Sequence, residues 1–422
     1  MSTKKDELQK RNYLLDHSKY EAIILFVLGM LLFCGCGQND VNILDANKSL
    51  QWKWVIEPLQ YQDLFFVDDD LIAVQREDGK WGVLNLLGEE QIAFKYDYIT
   101  EFNQGMTVVR TNDNYEFLNR DGEPLKNLLY KNARGFHELM AGVEVNDMWG
   151  YIDITGIQKI PCIYTEITDF SENTAAVKEK GKWGYIDSSG NQIIDFIFDD
   201  ATPFKEGRAI VAIEGLYGVI DISGEMIVDL KYERIREFQN GYAAALYKGK
   251  WGFLDTKGKP CIPFIYDEVG NFSEGKAAVK VCQYRDGLDQ WAYIDTNGNI
   301  VIDYYPYEAI EGKMVHVGEF HDGLAFVTKD VYCIIDKNGQ DIFNGDSYYF
   351  ISSFIYNPQY DVLPGYKYID SKMTQKKYGL IGVSGEERIP AVFDYIYGFH
   401  ENYVIVANIV EDKYRCGLIE LF

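Results

Sequence analysis

An aromatic residue, in most copies followed by glycine, returns down this chain at a nearly fixed pitch. Trp81, Tyr115, Trp149, Trp183, Tyr217 and Trp251 stand 34 residues apart, and Trp291, Tyr332, Tyr378 and Cys416 continue the series at steps of 40, 41, 46 and 38. Glu116, Ala292 and Cys333 replace the glycine. Ten copies of one unit make almost the whole chain a repeat array. Residues common to the copies are expected to build the array, and what departs from them is where a function of its own is sought.

A 34-residue period is also that of helical tetratricopeptide pairs. The residues argue for strands instead. The fourth copy reads Trp183-Gly184-Tyr185-Ile186-Asp187-Ser188-Ser189-Gly190. Two glycines in so short a window cost about 1 kcal/mol each in a helix, whereas β-branched and aromatic residues between tight turns suit strands. A glycine stands seven residues after each of the first nine anchors, and Asn or Asp usually precedes it by three. That pairing predicts a hairpin closed by an Asx turn with glycine at positive φ. Ile186 and its equivalents are aliphatic in all ten copies, on the face opposite the anchor ring. A strand apolar on both faces is expected to be covered on both, by neighbouring units. The glycine after the anchor is expected to leave room for a neighbour's ring. Further runs such as Gln192–Phe198 and Ala175–Val177 complete a unit of three short strands.

The motifs Lys80-Trp81-Gly82, Lys182-Trp183-Gly184-Tyr185-Ile186-Asp187 and Lys250-Trp251-Gly252-Phe253-Leu254-Asp255 resemble the bacterial WG-repeat (KWG) family. The resemblance covers roughly residues 55–422. It implies β-rich tandem repeats, often in envelope or secreted proteins, and no common catalytic activity. Trp81, Trp149, Trp183, Tyr217, Trp251, Trp291 and Tyr378 are then read as structural anchors. The fold expected is all-β: an open β-solenoid or superhelix of three-stranded repeats, with a β-propeller as the alternative. Propellers typically use 4–8 blades of four strands, and an open spiral tolerates the uneven pitch after Trp251 more easily.

Residues 22–36 form an uncharged apolar stretch behind Lys4, Lys5, Lys10, Arg11 and Lys19. It is short for a membrane-spanning helix and suits the h-region of a signal peptide. Its end, Gly35-Cys36, resembles a bacterial lipobox, which implies lipidation at Cys36. The expected organisation is a leader over 1–35, a polar tether over 36–54, a regular array over 55–290 and an irregular one over 291–422. The expected address is the bacterial cell envelope, held to a membrane, with the outer membrane as destination.

The net charge of −24 disfavours binding to nucleic acid or anionic lipid. Cys162, Cys261, Cys282, Cys333 and Cys416 share no repeat offset, and buried free thiols are preferred to Cys261–Cys282 or Cys333–Cys416 pairs. His316 and His321, beside Glu319 and Asp322, do not converge as a zinc site needs. The Asp-x-x-Gly turns supply too few oxygens for calcium. No nucleophile elbow, phosphate loop, dinucleotide fingerprint or zinc-protease motif is present, so neither cofactor nor metal is expected and the chain reads as a non-enzyme. Tyrosines outside the repeat pattern cluster late in the chain, and Tyr348, Tyr349, Tyr356 and Tyr366 are the candidate contacts for an unknown protein or glycan partner. The readings in competition are a macromolecule-binding surface, a spacer that binds nothing, and a hydrolase sited in the irregular copies.

Overall fold

A computed structural model describes residues 50–126, 128–281, 290–306, 317–328, 332–344, 349–350, 356–370, 375–383 and 385–422. Within them the chain forms ten antiparallel sheets, eight of four strands and two of three. Blade 4 is typical, with strands Glu166–Ile167, Thr174–Glu179, Lys182–Asp187 and Gln192–Phe198. Blades are numbered here in chain order. Blade 10 consists of Tyr395–His400, Tyr403–Val410 and Lys413–Leu421, and its fourth strand is Trp52–Tyr61 from the other end of the array.

That last pairing decides the architecture. Trp52 lies opposite Leu421, and Tyr61 opposite Cys416. Blade 1 opens with Asp63–Asp68, which packs against Lys413–Leu421 as the first strands of blades 3 to 7 and 10 pack against the third strand of the preceding blade. Ten apolar cores, one for each pair of neighbouring blades, run round the molecule without a break. The last holds Tyr61, Leu64 and Val74 together with Ala407, Cys416 and Leu418. The protein is therefore a ten-bladed β-propeller, and the expected open solenoid is corrected. Three features hid the ring. The extra strand of most blades has two residues, as in Arg234–Ile235 and Glu268–Val269, too few for a hydrophobic pattern. The closing strand begins at Trp52, inside the segment read as a tether. The uneven pitch after Trp251 comes in blade 10 from a lengthened hairpin, Tyr403–Val410 with Lys413–Leu421, which a closed ring accommodates as well as a spiral does.

The expectation of cover on both faces is met by the blade stacking. Ala175, Val177 and Ile186 enter the core with blade 3, while Ala176, Trp183 and Tyr185 enter the core with blade 5. Because first strands overlap third strands and second strands overlap fourth, consecutive sheets lie like shingles. A single residue, Asp199, then suffices to pass from the end of blade 4 to the start of blade 5.

The glycine after the anchor serves a different purpose from the one expected. A Cβ on Gly184 would stand 2.8 Å from the carbonyl oxygen of Ile194 and 3.0 Å from the Phe196 ring, both on the fourth strand of the same blade. The fourth strand arches over the glycine, so Trp183 pairs with Phe198 while Tyr185 pairs with Ile194. Where Glu116 stands instead, blade 2 shows no fourth strand among the described residues, which form isolated bridges from Tyr115 to Tyr130 and from Leu118 to Pro124. Where Ala292 stands, the arch loses one residue, and Trp291 pairs with Tyr305.

Trp183 is 8% exposed, with the Lys178 ammonium 5.6 Å from its ring centre. Trp183→Ala is expected to cost about 3–5 kcal/mol, the usual loss for a buried aromatic, read as a fall in the denaturant midpoint.

Candidate binding site

Antiparallel strands give the ring two loop faces. One carries the Asx hairpins and the phenylalanine corners. The other carries the hairpins that precede each anchor and the connectors between blades.

On the first face the recurring side chains are engaged in turns and blade contacts. Asp187 Oδ1 accepts the amides of Ser189 and Asn191 at 2.9 and 2.8 Å, and Gly190 has φ +84°. At the corners a non-glycine residue takes positive φ, as at Glu138 (φ 50°) and Glu172 (φ 55°). Its carboxylate reaches the next corner: Glu138 accepts from Glu172 N and Asn173 N at 2.8 and 2.7 Å, and Glu172 accepts from Gly207 N at 2.9 Å. Tyr151 and Tyr185 donate their hydroxyls to the next blade at Thr168 O and Thr202 O.

The second face explains the lysine of the motif. Lys80, Lys182 and Lys250 each lie 2.5 Å from the connector carboxylate 17 residues on, Asp97, Asp199 and Asp267. The other carboxylate oxygen of Asp97 and Asp199 accepts an amide of the next blade, Asn112 N at 2.7 Å and Glu214 N at 2.8 Å. At the seam the connector between the fourth strand of blade 10 and the first strand of blade 1 is Gln62, which carries no charge. Arg415 occupies the lysine position and, with Lys413, pairs with Glu77 of blade 1.

These contacts hold several carboxyls below their ordinary range. The Asn191 side chain first, then backbone donors, lowers Asp187. Ser223 lowers Asp221, and the Lys182 ammonium lowers Asp199. A carboxyl lowered by folding contributes stability above its unfolded pKa of about 3.9, and that stability is lost as pH falls through the folded value. The thermal midpoint is expected to stay level from pH 7 to about 5 and to fall below about pH 4. Asp187→Ala should make that acid slope shallower.

One patch on the second face has no counterpart in the regular copies. Opposite the anchor, across the strand pair, stand Gln75, Arg110, Glu144, Lys178, Ala212, Leu246 and Lys280 in blades 1 to 7. In blade 9, built from Tyr349–Phe350, Val362–Tyr368, Lys376–Gly382 and Glu387–Phe393, that place is Tyr366, opposite Tyr378. Blade 10 then begins with Tyr395, where blades 4, 5, 6 and 7 begin with Glu166, Asp200, Arg234 and Glu268. The rings form a continuous stripe: Tyr368 to Tyr366 at 6.0 Å, Tyr366 to Tyr378 at 5.2 Å, Tyr378 to Tyr395 at 5.2 Å, and Tyr395 to Tyr397 at 4.9 Å between centroids. Their planes meet edge to face at 89° between Tyr366 and Tyr368 and are tilted by 56–60° in the other three pairs. Tyr397 is 46% and Tyr414 50% exposed; the other four are half-buried. The Lys376 ammonium lies 4.3 Å from the centre of the Tyr366 ring. Burial, then the phenols of Tyr395, Tyr414 and Tyr368, pushes Tyr378 up to about 12, so its own hydroxyl stays neutral across the physiological range.

Of the four tyrosines marked in the sequence, Tyr366 lies in this stripe. Tyr356 lies at the opposite face, its hydroxyl 2.9 Å from Asp361, and burial and that carboxylate push it up to about 12. Tyr349 pairs with Tyr366 through the backbone, and Tyr348 lies outside the described residues. Tyr395, Tyr397 and Tyr414 escaped the sequence reading. Comparison with the other copies does not single out Tyr395, since Tyr98 in blade 2 and Tyr349 in blade 9 stand at the same distance from their anchors.

Other sequence candidates are dispersed. His137 faces Asp169 at 3.6 Å, and His400 stacks on Phe66 across the seam at 4.1 Å. Asp68 and Asp70 share the Arg120 guanidinium. Among the described residues no group of three His, Cys, Asp or Glu stands close enough to hold a metal, and no helix is long and apolar enough to cross a membrane. Cys162, Cys261 and Cys416 are free thiols, so the Cys333–Cys416 pair does not form. Cys36, Cys282 and His316 lie outside the described residues.

The family described as WG containing repeat matches residues 53–81, 81–115, 149–183, 183–217, 217–251, 251–281, 291–330 and 378–414. No curated protein matches the chain. Among solved structures the chain is similar to a eukaryotic initiation factor, at 10% identity over 85% of this chain and 90% of that one with a TM-score of 0.45. It is also similar to BamB from Moraxella catarrhalis, at 10% identity over 67% and 96% with a TM-score of 0.33. The WD40 β-propeller domain of Doa1 is similar at 11% identity over 58% and 97%, with a TM-score of 0.26. Likenesses this distant say nothing of function, and the propeller assignment stands on the closing strand and the unbroken ring of cores.

Proposed function

The chain belongs to the WG-repeat family, and from that premise we propose that it is a non-enzymatic binding scaffold of the bacterial envelope, a ring that presents one docking patch. The observation that carries this reading is the tyrosine stripe of blades 9 and 10. At Tyr366 it departs from blades 1 to 7, which place polar, charged or aliphatic side chains there, and half-exposed tyrosines are favoured contact residues. The apolar leader ending in Gly35-Cys36 supports a lipid anchor at Cys36, which would hold the ring to a membrane, the outer membrane first.

Triple replacement of Tyr366, Tyr395 and Tyr397 by Ala tests the docking role. The solubilised wild-type protein is expected to capture a protein or glycan from envelope extracts, and the variant to lose it with its circular dichroism unchanged. A capture that survives the replacement places the site elsewhere. Cys36→Ser is expected to move the protein from the membrane fraction to the soluble one, and its retention there would remove the anchor from the proposal.

A second reading, a spacer that binds nothing, is favoured by a different observation. The motif lysines, corner acids and core tyrosines described above bond within their blade or to the next one. Failure to capture any partner would leave that reading standing.

A further inference from the structure

Within the docking role just proposed, we infer that the occupant of the tyrosine stripe is an extended, neutral polysaccharide. Three observations choose this chemistry.

The patch is an open strip of rings spaced 4.9–6.0 Å apart. An open strip suits a chain that lies along it rather than a small molecule that is engulfed. Ring faces and edges pack against the C–H faces of pyranose units, while phenol hydroxyls and the Lys376 ammonium offer hydrogen bonds to sugar hydroxyls.

Charge removes the main competitors among polymers. The chain carries −24, and two lysines beside the stripe are already paired, Lys377 with Asp394 at 2.7 Å and Lys367 with Glu387 at 2.8 Å. A polyanion would meet a repulsive long-range field with little local compensation.

The geometry of entry disfavours the protein's own bilayer. Leu50 N bonds to Arg388 O beside the Asx hairpin of blade 9, and Leu421 N bonds to Asn402 O at a corner. The N-terminal segment thus joins the ring on the corner face. Trp52–Tyr61 then runs to the other face, where Tyr61 pairs with Cys416. The stripe lies on that second face, so a tether leaving the corner face presents the stripe away from its membrane.

The test uses the detergent-solubilised full-length protein and insoluble cellulose, chitin and amylose as probes, by co-sedimentation. Retention on at least one of them is expected, with about tenfold weaker binding for Tyr366→Ala/Tyr397→Ala, the loss of one good contact. Salt should change it little. Tyr397→Phe, which keeps the ring, should bind within about twofold of wild type. Near-ultraviolet circular dichroism of each variant shows whether the blades still pack. If no polysaccharide retains the protein while an envelope protein is captured through the same tyrosines, the glycan assignment fails and the docking role survives. If neither binds, both fail. Retention that the double variant leaves unchanged overturns the assignment of the stripe.

Discussion

Internal deletion of residues 52–61 is expected to open the ring. The strand is the only one contributed from the start of the array to the last blade, and it covers the seam core. Cys416 reports the event, because its thiol is buried and burial pushes its pKa up to about 11. In the deletion variant Cys416 is expected to react with a thiol reagent under native conditions on the order of a hundredfold faster, as a locally opened edge does compared with a closed core. The bared edge of Lys413–Leu421 should also promote association between molecules. Labelling at the wild-type rate, with an unchanged sedimentation profile, would mean that the ring does not need this strand.

The second large effect concerns the glycine that gives the repeat its name. A Cβ on Gly150 would stand 2.5 Å from Ile160 O and 2.6 Å from the Pro161 carbonyl carbon. Both are backbone atoms, so no rotamer change relieves the clash. Gly150→Val is expected to cost about 3 kcal/mol or more, the upper range for overpacking, by lifting the fourth strand of blade 3 from its neighbour. Gly135, in the same blade, has open space around its Cβ position, and Gly135→Ala should change stability by no more than about 0.5 kcal/mol. Equal losses in the two variants, read from denaturant midpoints, would contradict the arching-strand account. The chain already contains the natural counterpart of the experiment. Glu116 fills the same position in blade 2, and that blade shows no fourth strand among the described residues.

The seam shows how the repeat adapts where its covalent logic ends. In regular blades the connector carboxylate ties the motif lysine to the next hairpin, as Asp199 does between Lys182 and Glu214 N. Blade 10 has Gln62 in register with that carboxylate. Glu77, on the first hairpin of blade 1, supplies the charge instead to Lys413 and Arg415. Glu77 and Lys413 are exposed while Arg415 is buried, so the Arg415–Glu77 pair is the part of this contact that is better shielded from water. The apolar contacts of Tyr61, Leu64 and Leu418 beneath it carry the closure.

Much of this molecule was legible in its residues because the repeat states the same local requirement many times. Asp187 three residues before Gly190 specifies its turn through hydrogen bonds within five residues. Ile186 and Tyr185 on opposite faces require cover on both sides. Those facts establish strands, turns and stacking by short-range chemistry alone. Closure has no such local signature. Trp52–Trp54, where the closing strand begins, looks like a tether until Leu421 is placed beside it, and the pairing joins residues more than 350 positions apart. The tyrosine stripe is likewise an assembly of three strands from two blades, so only Tyr366 stood out in sequence while Tyr378 was read as a structural anchor. Local spacing determined the unit and its two apolar faces. The angle accumulated from one blade to the next, a property of the packed whole, decided that the tenth would meet the first.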